Sequence, residues 1–185
     1  MRGAAAALLV AIAALLATGG SVAKPARPRP APPAGLCAGG ERVVYSCRFG
    51  TKLGSVCLGR NALRYRYGKP GKPEIEVSST PEWSNIHTGG NRSQGGLNQD
   101  YVRFTNGQTH YVVHVDETGS LNENPGRRSS GIEVLQGDAA PATIASLSCR
   151  SRSGFRTDAW LALNRSAPED WDGAERPGGP FEMIY

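Results

Sequence analysis

The chain has 185 residues, 39% of them hydrophobic and 20% charged, with a formal charge of +5. That length suits one modest domain. The charge is uneven, with +10 over residues 24–72 and −6 over residues 73–185. No stacking aromatics interleave the basic residues, so no nucleic-acid partner is expected. The asymmetry reads either as a basic surface for an anionic envelope component or acidic protein, or as one half of the chain folding against the other.

In chain order, Arg2 precedes an apolar run from Ala4 to Ala17, and Ser21-Val22-Ala23 then fits a small-x-small cleavage site. Residues 1–23 are therefore expected to be a secretory signal peptide, and the protein to be periplasmic or secreted. Residues 24–36, which include Pro25, Pro28, Pro30, Pro32 and Pro33, read as an extended Pro-rich linker. No second apolar run reaches the ~20 residues of a transmembrane segment. Export places Cys37, Cys47, Cys57 and Cys149 in an oxidising space, where an even set of cysteines reads as two disulfides.

From Glu41 to Cys149 the pattern is mostly period two. It predicts eight strands, at 42–49, 54–58, 62–68, 73–79, 100–105, 108–116, 131–136 and 143–149. The fold class is thus all-β, an antiparallel sandwich or small barrel over residues 37–150. A hairpin centred on Lys52 sets Cys47 opposite Cys57 and leaves Cys37 for Cys149; the rival pairing joins Cys47 to Cys149. A second hairpin centred on Pro70 sets Arg66 against Glu74 and Arg64 against Glu76, with Tyr65 on Ile75 and Leu63 on Val77. These four charges read as a solvated face of weak ion pairs.

Residues 80–99, with Pro81, Trp83, His87, Gly89-Gly90 and Gly95-Gly96, lack an apolar period and are expected to form a long loop. Asn106-Gly107 is a strong hairpin signal. A two-residue turn there pairs Phe104 with Thr109 and Arg103 with His110. Val102, Phe104, Thr109, Tyr111, Val113 and Val115 then face the core, while Tyr101, Arg103, His110, Val112, His114 and Asp116 face outward. A second polar loop spans Glu117 to Gly131. Beyond it, residues 151–185 read as a C-terminal extension containing a short helix capped by Thr157, or an irregular tail.

Catalytic motifs are missing: there is no G-x-S-x-G, H-E-x-x-H or phosphate-binding glycine loop. No C-x-x-C pair points to zinc. On a strand His110 and His114 share a face but lie about 13 Å apart, too far for one metal. No catalytic residue, metal site or cofactor is therefore assigned. The candidate binding residues are Trp83 and His87 in the 80–99 loop and Tyr101, Arg103, His110 and His114 on the outer sheet face.

Tyr45-Ser46-Cys47-Arg48, Ser55-Val56-Cys57, Leu63 to Gly71, Tyr101 to Gly107, Gly131 to Val134 and Cys149 together resemble a family of small exported β-rich proteins of Gram-negative bacteria. That resemblance implies export and a disulfide-stapled domain, and carries no activity with it. Tyr45-Ser46-Cys47 and Cys149 also resemble the frame of periplasmic lysozyme inhibitors, which implies a loop that plugs a hydrolase. Where those inhibitors follow a Ser-Gly shortly with Tyr, Ser130-Gly131 is followed here by Ile132-Glu133. The expected function is a non-catalytic envelope binding module whose partner is another exported protein or envelope component, such as a cell-wall hydrolase. The alternative is a secreted enzyme acting on an anionic or carbohydrate substrate, with a histidine general base.

Overall fold

A computed structural model describes residues 35–150, 154–175 and 181. The expected leader and nearly all of the Pro-rich linker lie outside these residues. Among the described residues nine strands and one helix follow in order: β1 (Arg42–Phe49), β2 (Lys52–Leu58), β3 (Leu63–Lys69), β4 (Lys72–Ser78), β5 (Ile86–Asn91), β6 (Leu97–Asn106), β7 (Thr109–Thr118), β8 (Arg128–Gln136), β9 (Ala142–Ser148) and α1 (Thr157–Ser166). The strands form two antiparallel meanders, β1-β2-β3-β4 and β5-β6-β7-β8-β9. The result is an all-β sandwich rather than a closed barrel.

Period-two alternation puts one face of each meander into a shared core. Tyr65 of β3 stacks on Tyr111 of β7 at 5.1 Å and meets Phe104 of β6 at 5.8 Å. Tyr45 of β1 is fully buried, and its hydroxyl lies 3.3 Å from Ser130 Oγ on β8. Gly54 of β2 is needed for close approach, since a Cβ there would sit 2.4 Å from Ile132 Cδ1.

The hairpins at Pro70 and Asn106-Gly107 keep their expected faces but not their partners, whereas the first hairpin is slipped by three residues, which turns Cys57 to the face opposite Cys47. Phe49 pairs with Lys52, closing a tight turn in which Gly50 takes φ +63°. Cys47 therefore lies opposite Gly54, not Cys57. The preferred disulfide pairing is corrected accordingly: Cys37 joins Cys57, and Cys47 joins Cys149. In the next hairpin Arg66 pairs with Glu76 and Arg64 with Ser78, two residues from the expected register, with a bulge at Gly68. The charged face is not simply solvated either. Glu41 comes over it, accepts from Arg64 at 2.8 Å and from Arg66, and leaves Arg66 8% exposed. Two further pairs, Arg66–Glu76 and Lys52–Glu74, are each 2.6 Å.

At the Asn-Gly turn Asn106 pairs with Thr109, so Gly107 (φ +58°) and Gln108 are the turn residues. Phe104 consequently faces Tyr111, and Thr105 faces His110.

The expected 80–99 loop holds a whole strand, β5, and the first three residues of β6, with loop kept at 80–85 and 92–96. β5 escaped the alternation test because only Ile86 is fully buried within it. Gly89 takes the place of a side chain there, because the Tyr101 ring lies where a Cβ would project. At the C-terminal end α1 buries Ala159, Ala162 and Leu163, the i, i+3, i+4 stripe of a docked helix. Thr157 is its first helical residue rather than its cap; Arg156 occupies the N-cap with no side-chain cap bond. The Arg156 N–H donates to the Val44 carbonyl at 2.9 Å, fixing the helix to β1.

Candidate functional site

The strand registers place His87, Gln99, Tyr101, Arg103, His110, His114, Asp116 and Glu133 on one face of the five-stranded sheet, the face turned away from the core. Alternation alone makes this face an exposed polar surface. In the structure it is buried: Arg103 is 5% exposed and His110 2%. The cover comes from the C-terminal segment. Gly173 and Glu175 bond to both sides of Thr88 in a short parallel bridge along β5. The Glu175 carboxylate accepts from Arg103 Nε and from the Tyr101 hydroxyl. The Phe181 ring packs over the Arg103 guanidinium at 3.8 Å and against His110 at 4.5 Å.

Each histidine is held differently. His110 Nε2 faces the Gly137 carbonyl at 3.0 Å, an acceptor only, so Nε2 carries the proton. Nδ1 then accepts from Arg103 Nη1 (3.2 Å) and Thr105 Oγ1 (3.0 Å). Burial first, and the Arg103 charge second, hold the His110 pKa below its ordinary value. The same two causes lower His87, whose Nδ1 is buried without a hydrogen-bond partner among the described residues. His114 Nδ1 donates to Asp116 Oδ2 at 2.9 Å, and Asp116 also accepts from Gln99 and Ser129. That is the orienting half of a general-base dyad. His114 Nε2, however, lies over the backbone of Gly131, within 2.6 Å of where a Cβ would stand. His110 thus stands at the start of β7 and His114 at its middle, about 13 Å further along the strand, each turned to its own partners.

Trp83, expected in an exposed loop, is a core residue 2% exposed, with φ +54°. It meets Trp171 edge-on at 5.7 Å, and Trp171 Nε1 donates to the Trp83 carbonyl at 3.1 Å. Among the described residues the one His/Cys/Asp/Glu group tight enough for a metal is Cys37, Glu41 and Cys57. Its two sulfurs are joined to each other and offer no thiolate.

What the molecule presents outward is a pair of connections at one end of the five-stranded sheet, residues 92–96 between β5 and β6 and residues 119–127 between β7 and β8. Each is held by short local bonds. Ser93 N–H donates to Asn98 Oδ1 (2.7 Å), Gly96 N–H to Ser93 Oγ (2.8 Å) and Asn124 N–H to Asn122 Oδ1 (3.0 Å). The two are also laced together. Gly119 N–H donates to the Gly96 carbonyl (2.8 Å), Leu121 N–H to the Gln94 carbonyl (2.7 Å) and Asn122 Nδ2 to the Gly95 carbonyl (3.3 Å). A side chain at Gly119 would strike the carbonyls of Ser93 and Gln94 at 2.2–2.3 Å, so glycine is what lets the loops close on each other. Leu121 stands on this double loop 74% exposed, more than Ile144 or Leu161. The sequence marks both loops by their Gly, Asn and Pro content, but nothing local signals that they bond to each other. No helix among the described residues is long and apolar enough to cross a membrane. No family model matches this chain, and no curated protein or solved structure does either.

Proposed function

We propose that the chain is an exported, non-catalytic binding module of the cell envelope that acts as a plug. The double loop carrying Leu121 seats in the cleft of another exported protein, a cell-wall hydrolase such as lysozyme. The observation that carries this reading is the pair of backbone bonds joining residues 94–96 to residues 119–121. A loop already ordered in the free protein loses little freedom on docking, and an exposed leucine on a stiff support makes an apolar anchor. Two further facts support it. Two disulfides suit an oxidising compartment. The polar face that an enzyme reading would use spends Arg103, Tyr101, His110 and Asp116 on contacts within the chain.

The test is inhibition of peptidoglycan lysis by a panel of cell-wall hydrolases. The wild-type protein should inhibit at least one, and Leu121→Asp should weaken that inhibition by about a hundredfold, the scale of a lost interface anchor. Absence of inhibition across the panel, or inhibition unchanged by Leu121→Asp, overturns the plug.

A further inference from the structure

Beside the double loop, a groove runs between α1 and the edge of the five-stranded sheet. It consists of two recesses of about 410 and 390 Å³ that share Arg92, Asp100 and Trp160. Its aromatic side is ordered in advance. Trp160 stacks on Phe155 with centroids 4.3 Å apart and planes at 26°, and Phe155 rests on the buried Tyr45 at 5.8 Å. Its polar side comes from adjacent strands, with Asn98 and Asp100 on β6, Glu117 on β7 and Arg128 on β8.

Of the six charged residues lining this groove, Asp116 and Glu175 are turned to His114 and Arg103, and the other four pair with each other. Arg92 Nη2 lies 2.6 Å from Asp100 Oδ1, and Arg128 Nε lies 2.5 Å from Glu117 Oε2. All four side chains are at least 40% exposed, so they reach solvent and a ligand while remaining neutral in sum. A phosphorylated or sulfated ligand needs cations that are not already compensated. A wholly apolar ligand would strip water from these polar groups without replacing their hydrogen bonds.

We infer that this groove binds a neutral oligosaccharide. A pyranose ring has an apolar C–H face and a rim of hydroxyls, each both donor and acceptor. The indole of Trp160 matches the face; the adjacent carboxylate, amide and guanidinium groups match the rim. Two adjoining recesses with a common wall suit successive sugar units of one chain rather than a single enclosed small molecule. The inference goes beyond the plug reading and stands without it, because it uses neither Leu121 nor the bonds between the loops.

The test is titration of the oxidised protein with the N-acetylglucosamine hexamer and with cellohexaose, read by tryptophan fluorescence and calorimetry, with polygalacturonate as the anionic comparison. Saturable binding of at least one neutral oligomer is expected, little affected by salt. Trp160→Ala and Asp100→Asn should each weaken it about tenfold or more, and Leu121→Asp should leave it unchanged. Should Trp160→Ala fail to fold by circular dichroism, Asp100→Asn and Asn98→Ala decide the matter. The inference is overturned if neither neutral oligomer binds at millimolar concentration, if the groove substitutions leave binding intact, or if polygalacturonate binds preferentially with a steep salt dependence.

Discussion

Glu175 closes over Arg103 from 72 residues away, in a pair whose side chains are only 9% and 6% exposed. The same carboxylate takes the Tyr101 hydroxyl at 2.9 Å. Through these bonds the C-terminal segment becomes the outer cover of the five-stranded sheet. A buried ion pair gives little net stability relative to an apolar pair, but breaking it from one side leaves a charge without its partner.

Replacing Glu175 with Ala should therefore cost about 3 kcal/mol, while Arg103→Met combined with Glu175→Leu should restore most of that loss. Urea unfolding of the three proteins measures both effects. A loss below about 0.5 kcal/mol for Glu175→Ala, the range of ordinary surface substitutions, would mean that the cover is not held by this pair.

The two disulfides differ in the length of chain they close. Cys47 and Cys149 are 102 residues apart and link β1 to the chain just past β9, whereas Cys37 and Cys57 are 20 apart and anchor the segment before β1 onto β2. On the loop-entropy argument, removing the long bridge as Cys47→Ala/Cys149→Ala should cost about 4–5 kcal/mol, against about 3 kcal/mol for Cys37→Ala/Cys57→Ala. Non-reducing peptide mapping should recover these two pairs. Equal destabilisation, or a Cys47–Cys57 peptide, would contradict the assignment.

In the β3–β4 and β6–β7 hairpins the faces were legible and the registers not, whereas in β1–β2 a slip of three residues also turned Cys57 to the face opposite Cys47. Alternation of Val102 and Phe104 with Tyr101 and Arg103 sorts core from outer face correctly. A slip of two residues preserves that sorting while changing every partner, which is why Phe104 meets Tyr111 rather than Thr109. The turn decides the slip, and at both Gly50 and Gly107 the positive φ belongs to the first residue of the turn. The burial of Arg103 and His110 was not legible at all. Their cover is Glu175 and Phe181, and no local pattern near residue 103 announces a tail that returns to it. Trp83 misled for a similar reason: its partner is Trp171, in a stretch that reads as acidic loop.

Gly89 and Tyr101 allow a steric test of the same cover. A Cβ on Gly89 would lie 2.2 Å from the Tyr101 hydroxyl oxygen and 2.3 Å from Cζ. Gly89→Ala should force the ring aside, break its bond to Glu175 and cost about 1–3 kcal/mol. Gly39→Ala, which meets nothing within 4 Å, should stay within about 0.5 kcal/mol of wild type. Thermal unfolding of the two variants checks the contrast, and equal stability would argue against the ring position.

Stability should fall on acidification in two stages, each with a separate origin. His87 and His110 have pKa values held below 6.5 by burial and by Arg103. The unfolded chain therefore takes up protons on these groups before the folded chain does. The unfolding free energy is full above about pH 6.5 and declines as pH drops through the window just beneath it. Glu41 acts lower. Burial pushes its pKa up, but the bonds from Arg66, the Ala38 N–H and Arg64 outweigh that and leave it below 4.5. Its contribution is present above pH 4.5 and is lost as pH falls past that value. Urea midpoints measured from pH 8 to pH 3 should show both declines. His87→Gln/His110→Gln should abolish the upper one alone, and Glu41→Gln the lower one alone. A flat profile between pH 7 and pH 5 in the wild-type protein would show that neither histidine is held in its neutral form by the folded chain.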